Sequence, residues 1–179
     1  MTRDDLETFC RLEIDFESIG LMEPGVAQEP YFCTPEGAEF VGRLGCDGVH
    51  FVLLPGDERV FCVDPSMGEP GTYVLPVAPD MRTFVSYLLY CRSANPLSQI
   101  AWLAEAPFRA LLAEDAQADG PGEGEKRRAL DALAAAFQAV PADPFQPVKA
   151  LQRGFDPSQL TFSDEYYDVL GLERPGGEG

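Results

Sequence analysis

The hydrophobic period of this chain changes once, near residue 80, and that change limits the folds open to it. Before it, apolar residues come in short runs bounded by turn formers; after it they recur at helical spacing. Val49-His50-Phe51-Val52-Leu53-Leu54 is a strand signal between Asp47-Gly48 and Pro55-Gly56. A second run, Arg59 to Asp64, follows after a few turn residues, so an antiparallel hairpin is expected. A loop from Pro65 to Gly71 leads to a third strand, Thr72 to Val77. Both a short helix and a strand fit Glu36 to Leu44. At the N-terminus, Leu6, Phe9 and Cys10 fit a helical face, while Leu12-Glu13-Ile14-Asp15-Phe16 alternates like a short strand.

Beyond residue 80 the pattern is helical. Asp80 can cap a helix carrying Met81, Phe84, Val85, Leu88 and Leu89 to about Cys91. Asn95-Pro96 reads as the cap and first position of a helix through Leu103, Pro107 starts another, Lys126 to Val140 forms a longer one, and Phe145 to Gln152 a short one. Residues 116–125 have little to bury and are expected as a mobile loop. Strands first and helices afterwards is the α+β order: an antiparallel β-sheet meander packed by helices, with a C-terminal helical extension. The length of 179 residues suits a single domain, 1–179, divided into a sheet-rich part at 1–94 and a mostly helical part at 95–179.

Charge narrows the function. The chain carries 30 acidic and 13 basic side chains, a formal net charge of −17. Such a surface repels phosphate backbones and anionic lipid, so nucleic acid and membrane are not expected partners. No apolar run approaches the ~20 residues that cross a bilayer, and no signal-peptide pattern follows Met1. Five scattered cysteines (Cys10, Cys33, Cys46, Cys62, Cys91) without a CxxC pair fit reduced thiols, and a cytoplasmic location is expected.

The search for chemistry centres on the one histidine. Alternation puts His50 with Val52 and Leu54 on one sheet face, and Val49, Phe51 and Leu53 on the other. A histidine there reads as a hydrogen-bonded sheet residue, with a base as the rival reading. Cys46 and His50 form a Cys-x3-His pair to which Cys62 could be added across the hairpin, a sparse metal set. A small hydrolase or metal-dependent enzyme would use His50 with Cys46, Cys62 or Asp47. The acidic stretch from Asp115 fails as a calcium loop because its twelfth position is Lys126. No glycine-rich phosphate cradle occurs, and no cofactor is implied.

Four segments in order, Gly45 to Phe51, Val60 to Pro65, Val74 to Ala78 and Thr83 to Leu89, make residues 36–91 resemble the SUKH superfamily of cell-wall-assembly-regulator-like proteins. That resemblance implies a binding module without an enzymatic site. Many bacterial members are regarded as immunity proteins that neutralise toxins, often nucleases. A nuclease presents cationic surface, so an acidic chain could meet it through charge and gain association rate by steering. Asp57, Glu58, Asp64 and Glu69, in the turns of the meander, are the expected partner contacts, projecting from one edge of the sheet. A regulatory or scaffold protein is the further alternative, and solubility is the rival account of the acidity.

Overall fold

A computed structural model describes residues 2–117 and 122–175. Its centre is a four-stranded antiparallel meander, order β1-β2-β3-β4, made by β1 (Glu39–Arg43), β2 (His50–Leu53), β3 (Val60–Val63) and β4 (Val74–Ala78). The ambiguous segment Glu36 to Leu44 is therefore a strand over its second half. Its partner is fixed by the turn that follows. Asp47 and Gly48 both take positive φ (53° and 69°), and the Val49 N–H donates to the Cys46 carbonyl, which is type I′ geometry. That turn has the twist that adjacent antiparallel strands need.

Every residue of β2 and β3 is buried, so the sheet must be covered on both faces. On the first face, Phe51, Leu53, Val60, Cys62 and Val77 meet α2 (Met81–Cys91), with the Phe51 and Phe84 rings 5.2 Å apart. Asp80 starts α2 as expected, its carboxylate accepting the Thr83 N–H at 2.7 Å. Behind α2 lie α1 (Thr2–Cys10) and α5 (Glu123–Phe137), which contribute Leu6, Phe9, Leu130, Leu133 and Phe137 to the same core. On the second face, Val52, Leu54, Phe61, Val63 and Val74 are covered by Cys33 and by C-terminal side chains, with Phe155 and Tyr166 buried and Phe162 packed beside them. The Phe61–Phe155 centroids are 5.5 Å apart, and Phe162 stacks on Tyr166 at 3.9 Å.

The end of the C-terminal helical extension, from Phe155 to Tyr166, thus supplies the second cover of the sheet, while α5 of the same extension joins the first-face core. α3 (Asn95–Gln99), α4 (Glu105–Gln117), α6 (Phe145–Arg153) and α7 (Asp164–Leu170) complete the chain, and α6 lies along β4. The outer edge of β1 is also occupied, by two hydrogen bonds between Met22 and Arg43 (2.8 and 3.0 Å), which removes an open template for strand addition. None of the helices is long and apolar enough to cross a membrane among the described residues.

Several boundaries differ from the sequence reading. Leu12 to Phe16 is not a strand; it leads into a 3-10 turn at Glu17–Ile19, and its alternation comes from Phe16 being buried with Leu12 and Ile14 packed on the same core. The third strand begins at Val74, because Thr72 and Tyr73 still belong to the loop. Ala94, not Asn95, precedes α3, the Ser93 hydroxyl accepts the Asn95 N–H, and the helix stops at Gln99. Of the loop expected at 116–125, residues 116–117 belong to the end of α4 and 123–125 to the start of α5; residues 118–121 lie outside the described residues.

The covering role has a measurable consequence. Tyr166→Ala should lower unfolding free energy by about 3 kcal/mol, read from the urea midpoint, as expected for a buried aromatic. A chain ending after Gly154 should fail to give a cooperative transition. Were the C-terminus an appendage, neither change would move the midpoint.

Candidate partner-binding groove

A groove of about 590 Å3 opens at the β1–β2 turn. Its walls are the segment Gln28 to Tyr31, Phe40 and Arg43 of β1, the turn from Leu44 to Gly48, and His50 at the start of β2. The turn shapes it from below. A Cβ on Gly48 would lie 2.4 Å from the Tyr31 ring, so only glycine allows that ring to rest on the backbone, besides satisfying the positive φ.

His50 is 1% exposed and fully partnered. Its Nδ1 lies 2.8 Å from the Gly48 carbonyl, which can only accept, so Nδ1 carries the proton. Its Nε2 lies 3.2 Å from Thr34 Oγ1, a hydroxyl that already accepts the Tyr31 N–H at 2.9 Å and so donates its own proton to the ring. Burial holds the imidazole below its ordinary pKa, against the raising influence of the Gly48 bond. The ring stacks with two others, Phe40 at 5.0 Å and Tyr31 at 5.7 Å, at interplanar angles of 21° and 26°. With both nitrogens engaged inside the protein, His50 braces the turn and the two aromatic walls.

Around this stack the charges are unequal. Arg43 donates to the Glu23 carboxylate, which also accepts from Gln28 at 3.1 Å; the Arg43 bond is the main cause of the lowered Glu23 pKa. The Arg43 charge is therefore already answered. Glu29 and Asp47, both exposed on the groove wall, form no ion pair with any described residue. Cys46 is exposed in the same turn, the one exposed thiol of the five.

The sparse metal set does not assemble. Cys46, Asp47 and His50 share the groove, but Cys62 pairs with Phe51 while His50 pairs with Val63. One residue of offset turns a side chain to the opposite face, so Cys62 sits in the first-face core, where burial pushes its pKa up strongly. Among the described residues no group of three or more His, Cys, Asp or Glu side chains could hold a metal ion.

Nor do the four expected carboxylates share one edge. Asp57 and Glu58 lie in the β2–β3 turn, whereas Asp64 and Glu69 lie in the β3–β4 loop at the other end of the antiparallel strands. Asp57 is held by Arg59 (Nη2 at 2.6 Å, Nε at 2.9 Å); burial would raise its pKa, but those hydrogen bonds outweigh it and lower it. The same guanidinium lies 5.1 Å from the Phe61 and Phe155 centroids, tying the turn to the second cover. Asp64 is 9% exposed and accepts from the Ser66 N–H and hydroxyl, which makes it a turn residue. Glu58 and Glu69 are the exposed members. The groove residues Gln28, Glu29, Tyr31, Phe40 and Arg43, and Thr34 behind His50, were not singled out by sequence; the Asp47-Gly48 hairpin signal would have brought β1, and with it Phe40 and Arg43, alongside His50.

Two measurements check this geometry. His50 is the chain's one histidine, and burial holds its folded pKa below the ordinary imidazole value of 6.5. Below that value the unfolded chain is the more protonated state, so stability is fully present above about pH 6.5 and falls as pH drops toward the folded pKa, by up to about 1.4 kcal/mol per unit. Urea unfolding from pH 7.5 to 5 should show this slope, and His50→Gln should flatten it. A thiol-disulfide reagent should modify Cys46 promptly and the half-buried Cys10 more slowly. Cys33 and Cys91, whose pKa values burial raises to about 12, and the buried Cys62 should react on unfolding; Cys46→Ser should abolish the fast phase.

No family model, no curated protein and no solved structure matches this chain.

Proposed function

We propose that the chain is a non-catalytic protein-binding module that captures a basic protein, as the SUKH resemblance of residues 36–91 implies for an immunity-type protein facing a nuclease-type toxin. One observation carries the reading. Arg3, Arg11, Arg43, Arg59, Arg82, Arg92, Arg109, Lys126, Arg128 and Arg174 are all held in internal ion pairs. Few cations are left to offset the surplus, so the charge of −17 faces solvent as carboxylates. A field of one sign steers an oppositely charged protein and suppresses anionic competitors. The occupied ring nitrogens of His50 and the inward position of Cys62 weigh against the hydrolase alternative. Five free thiols agree with a reducing, cytoplasmic setting.

The test is association kinetics. Protein immobilised at low ionic strength is exposed to host lysate, the retained partner is identified by mass spectrometry, and its on-rate is followed against salt. The expected partner is strongly basic, with an on-rate that falls about tenfold or more between ~0.02 M and ~0.5 M salt; a nuclease so captured should lose activity at stoichiometric binding. A partner of neutral or acidic charge with a salt-independent on-rate would overturn the reading.

A further inference from the structure

Resting on the protein-binding reading above, we infer that the groove between Tyr31, Phe40 and the Asp47 turn seats an arginine side chain of the partner protein. The fold itself supplies the pattern. Arg59 lies over the Phe61 and Phe155 rings while Asp57 holds its guanidinium. Arg109 lies against Phe108 and Phe145, at 5.6 and 5.9 Å, while Glu105 and Asp143 hold it. At each place aromatic faces and carboxylates enclose a planar cation. The groove repeats those parts without the cation. Tyr31 is 47% exposed there and Phe40 is half-buried, both stacked on a His50 ring whose hydrogen bonds fix them in place. Glu29 and Asp47 stand on the wall without an ion pair, and the nearest internal cation, Arg43, belongs to Glu23.

The chemistry selects among occupants. Unpaired carboxylates repel phosphate and carboxylate ligands, while an aromatic face attracts a cation within about 6 Å of its centroid. Arginine is favoured over lysine because its plane can stack on an aromatic face while its five N–H donors remain for the wall carboxylates. A volume of about 590 Å3 admits that side chain together with its flanking backbone.

Calorimetry with a hexa-arginine peptide, its citrulline counterpart and a hexa-lysine peptide tests this on the full chain. The groove pair Glu29→Gln/Asp47→Asn should weaken hexa-arginine about tenfold, whereas the control pair Glu13→Gln/Asp131→Asn, equally exposed and away from the groove, should weaken it less than about twofold. Tyr31→Leu, which keeps an apolar side chain on Gly48, should cost about threefold. Hexa-lysine should bind the unaltered protein more weakly than hexa-arginine. The ring protons of His50 should shift on titration with hexa-arginine and stay in place with the citrulline peptide. Equal losses in the groove and control pairs, with His50 signals unmoved, would overturn the groove assignment and leave the charge-driven reading standing. Hexa-arginine binding no tighter than the citrulline peptide would overturn both.

Discussion

The structure depends on a sheet with no solvent face. Each of β2 and β3 is buried along its whole length, and an antiparallel sheet in that state must be closed by a layer on either side. One layer comes from α1, α2 and α5. The other comes from the end of the chain, where Phe155, Phe162 and Tyr166 lie over Val52, Phe61 and Val63. Burying a large aromatic side chain stabilises by roughly 1.5–3 kcal/mol, so this second layer is part of the fold's stability and the two halves of the sequence cannot be treated as core and appendage. Arg59 joins them directly, its charge set on Asp57 and its plane against a ring from each half.

The groove exists where that cover stops. None of its lining residues comes from the C-terminal segment. At the His50 end of the second face the closure is made by residues from before and within β1, and it is made with rings and hydrogen bonds. The sequence Tyr31 N–H to Thr34 hydroxyl to His50 to Gly48 carbonyl links the segment preceding β1 to the turn following it. A buried polar chain of this kind is stable only when every member is satisfied, and its neutral tautomer satisfies each one. The half-exposed ring of Tyr31 is therefore held by its surroundings, which lowers the entropy lost when something binds against it.

How much of this was legible follows from how local each signal is. β2, β3, α2 and the Asp80 cap were readable because turn residues, an apolar run or a side-chain oxygen mark them within a few positions. The assignment of His50, Val52 and Leu54 to one face also held, since a strand's alternation needs no knowledge of its partners. β1 was ambiguous because Gly37, Ala38 and Gly42 dilute its strand character and its pairing shifts between Phe40 and Gly42; what makes it a strand is the turn that brings it against β2. Alternation at Leu12 to Phe16 misled, because it reports burial and is silent about a backbone partner. Cys62 was placed beside His50 by proximity along a hairpin, where a register offset of one decides the face. The unbroken apolar runs of β2 and β3 already implied two covered faces. Which segment supplies the second cover is a long-range matter that no window of sequence contains.

The placement of the cations ties the helical layers to one another and to the sheet. Arg3 ties α1 to β1, Arg82 ties α2 to α1, Arg92 joins α2 to α5, and Lys126 joins α5 to α4. Arg109 reaches from α4 to Asp143, ahead of α6, with the Tyr90 hydroxyl of α2 at 3.1 Å. Most of these pairs are partly exposed and individually contribute little to stability. Their collective effect is on connectivity: each joins two elements and sets one cation against one carboxylate, which leaves the net charge of −17 unchanged. The groove, with its own arginine paired to Glu23 and with Glu29 and Asp47 exposed on its wall, is where surplus carboxylate coincides with a concave shape.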